Sequence, residues 1–272
     1  MGNDEILNHM HQLHLLLADE LKRICEKYGI RYFMIAGTLL GAVRHKGFIP
    51  WDDDMDFGML RPDFEKFIQV SKKELDTDRF YLQTDRNDLY YTFNFAKLRL
   101  NGTKVLEEFS SKVCTNQGIY IDIFPIDSVD DRPLKATIQY KSFWIFRNLL
   151  WVKCGYGEEK RKKKLNYKIA KLCAMPFSIE FLKKMKHKTI TSCKSEETRK
   201  VVTSDGTYGL EKETLDAKWV NELSDYIFED RIYPGIADYD GYLSYFYKDY
   251  MKLPPKEKRN HHGRLEVDFG KY

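Results

Sequence analysis

The sequence predicts an α+β fold: a mixed β-sheet flanked by helices, with an additional, largely helical region. Three observations carry this. Residues 4–28 place Ile6, Met10, Leu13, Leu17, Leu21, Ile24 and Tyr28 on one face at helical spacing. Apolar or alternating runs at 32–36, 55–60 and 119–124 have the length and period of strands. From 135 to 188 the chain turns basic and aromatic, with fifteen Lys and Arg against three acids in a protein of net charge +4. The expected organisation is a core over 1–133, a basic aromatic helical region over 134–197, and a C-terminal region over 198–272 that packs back on the core and completes the site.

At 272 residues and 43% hydrophobic content the chain can bury a sizeable core, and 14% aromatic content argues against disorder. Five cysteines, widely spaced and without a Cys-x-x-Cys pair, suit small buried thiols in a reducing compartment rather than a disulfide framework or a zinc knuckle. The N-terminal stretch has neither a basic n-region nor an apolar h-region, so a cytoplasmic location is expected. No run of apolar residues is long enough to span a bilayer.

Each element follows from local pattern. The first helix covers the first strand, with His9, His11 and His14 on a solvated flank. Residues 32–36 form a short buried strand, broken by Gly37-Thr38; Leu39, Leu40, Ala42 and Val43 then form a helix that Gly47 and Pro50 close. A glycine and a hydroxyl at such a junction let backbone N–H groups approach a phosphate. The chain resumes as a strand at 55–60. Alternation sends Asp54 and Asp56 to one side and Met55 and Phe57 to the other, with Asp52 sharing the parity of Asp54. Such a carboxylate pair suits magnesium, which takes a few protein oxygens and completes its shell with substrate phosphates.

Arg61-Pro62-Asp63 begins a second helix, with Phe64, Phe67, Ile68 and Leu75 as its apolar face. Residues 79–84 and 91–100 read as strands, the latter with Phe93, Phe95, Lys97 and Arg99 sharing a face. Asn101-Gly102 predicts a hairpin that returns 103–109 antiparallel. Lys97 and Arg99 then sit near a turn, either gripping phosphates or decorating a surface tip. Next, Ile119, Ile121 and Ile123 alternate with Tyr120, Asp122 and Phe124, and Pro125 ends that strand. An isolated Asp122 in so apolar a strand requires a partner, a metal or a buried arginine.

In the basic block, Phe143, Trp144, Ile145, Phe146, Leu149, Leu150, Trp151 and Val152 form a dense aromatic helix, followed by the basic run 160–164. Three readings stand: an anionic membrane surface, nucleic acid, or an amphipathic helix packed on the core with its lysines in solvent. Further on, 198–204 reads as a strand, 219–230 as a short aromatic helix or loop, and 239–251 as a helix stopped by Leu253-Pro254-Pro255.

The run GTLLGAVRHKGFIPWDDDMDFGM, with Ala36-Gly37-Thr38, a short helix and Asp54-Met55-Asp56, looks like the signature of the nucleotidyltransferase superfamily. More narrowly it resembles the LicD family, bacterial phosphocholine transferases related to fukutin and fukutin-related protein. The resemblance is specific over 28–68 and recurs at IDIFPID, at KLRLNGT and at YKDYMKLPP. It implies a nucleotidyltransferase-like sheet and one or two magnesium ions on Asp54, Asp56 and Asp122; strand parity makes Asp52 a further candidate ligand, beside a supporting or turn-forming role. It also implies a CDP-choline donor that loses CMP, and a sugar hydroxyl acceptor on a cell-surface glycan or lipid-linked oligosaccharide, such as a teichoic acid precursor. Asp54, Asp56 and Asp122 are then the catalytic residues, with Asp122 nearest the acceptor proton. Gly37, Thr38, Arg44, His45, Lys46, Lys97 and Arg99 would orient phosphates, and Trp51, Tyr90, Tyr91 or Tyr120 would offer an aromatic surface to a quaternary ammonium. His261 and His262 follow the Leu-Pro-Pro stop, where the family carries a histidine. A lipid-linked acceptor favours an anionic membrane surface, on its inner face, and no nucleic-acid partner is expected. The alternatives are another nucleotidyl- or nucleotide-sugar-dependent transferase, or a non-catalytic membrane-surface adaptor.

Overall fold

A long helix opens the chain because its apolar stripe keeps the helical period for seven turns. In the computed structural model, which describes residues 2–194, 198–255, 257, 259 and 264–272, α1 (Asn3–Tyr28) buries Met10, Leu13, Leu17, Leu21 and Ile24. It stops at Gly29, whose φ of 59° lies in the left-handed region that glycine enters without strain. His11 and His14 are buried rather than solvated. His14 falls between Met10 and Leu17 on the stripe, so the helix carries it into the core.

β1 (Phe33–Met34), α2 (Ala36–His45) and β2 (Asp56–Leu60) follow, then α3 (Arg61–Glu74), β3 (Phe80–Gln83), β4 (Ala96–Leu100), β5 (Lys104–Glu107), a 3-10 turn at Glu108–Ser110, and β6 (Tyr120–Val129). The helical region holds α4 (Pro133–Cys154), α5 (Glu158–Arg161), α6 (Leu165–Ala174) and α7 (Ile179–Ile190). The chain returns through β7 (Lys200–Thr203), β8 (Thr214–Asp216), α8 (Lys218–Asn221), β9 (Leu223–Phe228), β10 (Arg231–Ile236), α9 (Tyr239–Tyr247) and β11 (Arg264–Asp268).

The described strands form a nine-stranded mixed sheet in the order β3-β4-β6-β2-β1-β10-β9, with β7 beside the later half of β6 and β8 beside β7. β2 runs parallel to β6 and β1 parallel to β10, whereas the other pairs are antiparallel. α1 and α3 cover one face, where Met55, Phe57, Ile121 and Ile123 are wholly buried. The opposite side chains of β2, β4 and β6 face a cavity.

Four expectations need correction. The Asn101-Gly102 turn forms, with Gly102 at φ 78°, but no hairpin follows. Both edges of β4 are taken, by β3 and β6, so β5 leaves and pairs with β11 in a separate two-stranded sheet. Within 91–100 only Ala96–Leu100 is strand. β6 also runs on through Pro125 to Val129. The Asp122 N–H donates to Met55 O across β2, so alternation turns the Pro125 nitrogen to the other side. There β4 has ended at Ala96 opposite Ile123 and β7 begins at Thr203 opposite Ile126, and a missing N–H costs no ladder bond. Finally, 219–230 is not an aromatic helix or loop: after the single turn of α8 it is β9, and β10 lies beside β1 in mid-sheet. Pro234-Gly235 within β10 breaks the strand pattern in sequence. In space, a Cβ on Gly235 would stand 2.8 Å from Leu39 Cδ1 and 2.9 Å from the Tyr226 ring.

In the helical region α4 packs on α7, around Leu150 and Leu182 at one end and Phe143 and Ile190 at the other. Trp144 and Ile145 on α4, and Leu165, Ile169 and Leu172 on α6, remain exposed. Among the described residues no helix is long and apolar enough to cross a membrane. Cys25 and Cys154 are buried free thiols as expected, but Cys114 and Cys173 are exposed.

Candidate active site

Strand register assembles the centre of the cavity. Asp56 on β2 lies opposite Asp122 on β6, Asp122 opposite Lys97 on β4, and Lys97 opposite Gln83 on β3. Adjacent residues on neighbouring strands carry side chains on the same face, so two carboxylates and an ammonium stand in one row. Lys97 Nζ donates to Asp122 Oδ1 at 2.8 Å and Oδ2 at 3.1 Å, and lies 3.2 Å from the Tyr120 ring centroid. The partner that an isolated Asp122 required is therefore this lysine. Burial pushes the Asp122 carboxyl up to about 6, with Lys97 opposing the rise. Burial likewise lowers the Lys97 ammonium, and Asp122 opposes that shift.

The acidic run is set by what surrounds it. Asp52, Asp54 and Asp56 all line the cavity, so strand parity extends ahead of the first residue of β2. The Asp56 N–H donates to Thr38 Oγ1 at 2.8 Å. A Cβ on Gly37 would stand 2.8 Å from Asp52 Oδ2, so glycine lets α2 approach the acids. His11 donates from Nε2 to Asp52 O at 2.8 Å, which fixes its tautomer, and stacks on Phe48 with ring centroids 3.9 Å apart. Burial lowers His11 and takes His14 down to about 3. Asp53, of opposite parity, faces away and pairs with Arg264 Nε at 2.7 Å.

The cavity measures about 870 Å³. Gly37, Asp52, Asp54, Asp56, Lys97, Arg99 and Asp122 line it; Thr38, Arg44, His45, Lys46 and Trp51 are not among its described lining residues. Arg44 donates to Tyr250 O at 2.6 Å, Trp51 packs edge-on to His45 beneath Arg259, and the Lys46 carbonyl accepts from Glu229 N–H. Arg99 spends its guanidinium on Gln83 Oε1 and Gly118 O. Of the aromatic candidates, Tyr91 and Tyr120 line the cavity, and the Tyr120 hydroxyl donates to Glu107. His261 and His262 lie outside the described residues.

Several lining residues escaped the sequence. Arg147 and Trp151, on α4, reach the cavity from the basic block; Asp205 and Glu213 reach it from the loop after β7. Burial pushes Glu213 up to about 7, while a hydrogen bond from Tyr208 N–H opposes the rise. The spaced glycines Gly206 and Gly209 were the one available signal in that loop. As for a metal, the donors are all oxygens, the chemistry a hard cation selects. No three His, Cys, Asp or Glu side chains among the described residues close a cage. The set therefore fits a cation that takes few protein carboxylates and completes its shell with substrate oxygens.

A mixed sheet flanked by helices, with acids brought together on neighbouring strands beside a glycine-led helix start, defines a nucleotidyltransferase-like α+β fold. The LicD/FKTN/FKRP nucleotidyltransferase domain family matches residues 29–152. The chain is 30% identical over 263 residues to the lipopolysaccharide cholinephosphotransferase LicD of Haemophilus influenzae, an alignment covering 91% of this chain and 92% of that protein. It belongs to the LicD family. Over 51 residues it is also 48% identical to the ribitol 5-phosphate transferase FKRP of Homo sapiens, covering 19% of this chain and 10% of that one. An uncharacterised Rickettsia typhi protein, RT0683, is 44% identical over 54 residues, covering 20% of this chain and 18% of its own.

Proposed function

We propose that this chain is a magnesium-dependent phosphocholine transferase, which moves phosphocholine from CDP-choline to a sugar hydroxyl of a cell-surface glycan, such as a teichoic acid precursor, and releases CMP. The observation that carries the proposal is the register of Asp56 against Asp122 in one oxygen-lined cavity, in a chain similar along 91% of its length to a lipopolysaccharide cholinephosphotransferase.

The acceptor oxygen forms a bond to the choline-bearing phosphorus, the bond from that phosphorus to the CMP oxygen breaks, and the hydroxyl proton goes to Asp122. Burial raises that carboxyl toward the working pH, which makes it a better base than an exposed aspartate. Lys97 keeps Asp122 ionised before transfer and holds its two oxygens in place. Thr38 and His11 fix the backbone of Asp56 and Asp52, so the acid run meets the donor already ordered. Magnesium held by Asp54 and Asp56, with Asp52 and Asp122 beside them and substrate oxygens completing its shell, would neutralise the donor pyrophosphate.

We further place the protein in the cytoplasm, peripheral on an anionic membrane. Leu165, Ile169 and Leu172 are 72%, 53% and 67% exposed along one face of α6, directly after the basic run 160–164. Exposed apolar side chains beside lysines suit an anionic bilayer surface. The test of the activity is nucleotide release in the presence of a cell-envelope glycan, CMP from CDP-choline or UDP from UDP-glucose, with magnesium or EDTA. Release from CDP-choline alone, abolished by EDTA, supports the proposal; release from UDP-glucose assigns the chain to nucleotide-sugar transfer instead.

A further inference from the structure

The part of the cavity lined from α4 and from the loop after β7 carries several unanswered hydrogen-bonding groups. Arg147 Nε, Trp151 Nε1 and Asp205 Oδ1 are buried, and none has a partner among the described residues; all three residues line the cavity. An orphan of this kind destabilises the fold unless a ligand or water completes it. The Asp205 side chain is fully buried. Its Oδ2 is fixed by Asn94 N–H at 2.8 Å and Lys186 Nζ at 3.3 Å, while Oδ1 is left over. The Arg147 guanidinium lies 4.6 Å above the Trp151 ring, a flat surface with donors at its edge.

Around this surface Phe93, Phe109, Trp151 and Tyr156 pack on one another, with centroid separations from 5.3 Å for Phe109–Trp151 to 6.5 Å for Trp151–Tyr156. Rings this close already touch, so they form a wall and leave no space between them for a trimethylammonium. Nor would such a cation use the Arg147 and Trp151 donors, since it makes no hydrogen bonds, and Arg147 would repel it. What answers two donors, one acceptor and an aromatic wall is a ring that both gives and takes hydrogen bonds. The wall also runs outward: Phe109 is 39% exposed, an open side that a residue in a longer glycan requires and an enclosed nucleotide base does not.

We infer that Arg147, Trp151 and Asp205, backed by Phe93 and Phe109, form the subsite for the acceptor sugar, with its apolar face on the aromatic wall and its hydroxyls on the three unanswered groups. This rests on the transferase reading above and adds to it where the acceptor lies and which residues select it.

Binding without turnover separates the two. Saturation-transfer NMR on the full chain uses N-acetylgalactosamine and methyl β-galactoside as sugar probes and CMP as the nucleotide probe. Wild type is compared with Trp151→Phe, which keeps a ring and loses the N–H, and with Asp205→Asn; circular dichroism verifies that each is folded. The sugar signal is expected to fall at least five-fold in both variants while the CMP signal stays within two-fold. A CMP signal that falls with the variants assigns these groups to the base and overturns the inference. So does a sugar signal that is absent in wild type or unchanged in the variants. Failure to turn over CDP-choline, by contrast, bears on the transferase reading alone.

Discussion

At the scale of single residues, the Lys97–Asp122 pair decides most about the site. The pair is buried, so removing one partner strands the other charge. Lys97→Met is expected to lower stability by about 3–5 kcal/mol at pH 8, with a smaller loss at pH 5, where Asp122 escapes by taking a proton. Urea denaturation at the two pH values measures this, and a loss that does not depend on pH would contradict it. His14 makes a second pH signature. Its folded value of about 3 lies below the unfolded 6.5, so the unfolded chain binds more protons between those values and stability falls as pH drops through that window. His14→Leu should flatten the decline between pH 6 and pH 4; an unchanged slope would place its origin elsewhere. Asp54, Asp56 and Asp122 could be singled out from sequence because strand parity is local and the alternation of β6 is clean. Lys97 was seen on the correct face, but its partner is set by register with β6, which no local pattern specifies. His14 was misplaced because a polar residue within a stripe looks like a flank until the stripe is wrapped onto the sheet.

At the scale of elements, close approaches between strands and helices hold the site in position. A Cβ on Gly58, in β2, would stand 2.9 Å from the Phe33 ring and 3.0 Å from Ile35 Cγ2. Gly58→Ala therefore overpacks the layer that carries Asp56, and should cost about 1–3 kcal/mol in chemical denaturation. Thr38→Val strips Asp56 N–H of its acceptor and should cost about 1–3 kcal/mol, with Thr38→Ser close to wild type; equal losses in both would trace the effect to packing. The first helix was legible because it keeps one period from end to end. β10 was not, since Pro234-Gly235 interrupts it and its strand character comes from pairing with β9 and β1. The absent hairpin has the same origin: Asn101-Gly102 dictates a turn, whereas the free edge a returning strand needs is a property of the sheet.

At the scale of the whole molecule, the contrast is between a cavity on one face of the sheet and an exposed basic, apolar face on the helical region. Sedimentation with vesicles should show binding to anionic but not to zwitterionic lipid, weakening as salt rises; Leu165→Glu with Leu172→Glu should abolish it without altering CMP release from a soluble acceptor. Binding that survives both changes would locate the contact elsewhere. Sequence composition announced the basic block but hid Arg147 and Trp151 within it, because the side of α4 that meets the cavity is fixed by packing on α7. Whether the facing carboxylates of β2 and β6 perform the transfer is decided by CMP release from CDP-choline with magnesium and a cell-envelope glycan, in wild type, Asp56→Asn and Asp122→Asn. Wild type is expected to release CMP only with acceptor, and each variant to lose at least about 100-fold, the scale on which an acid–base group or a metal-held carboxylate acts. Release by either folded variant at the wild-type rate would contradict that role.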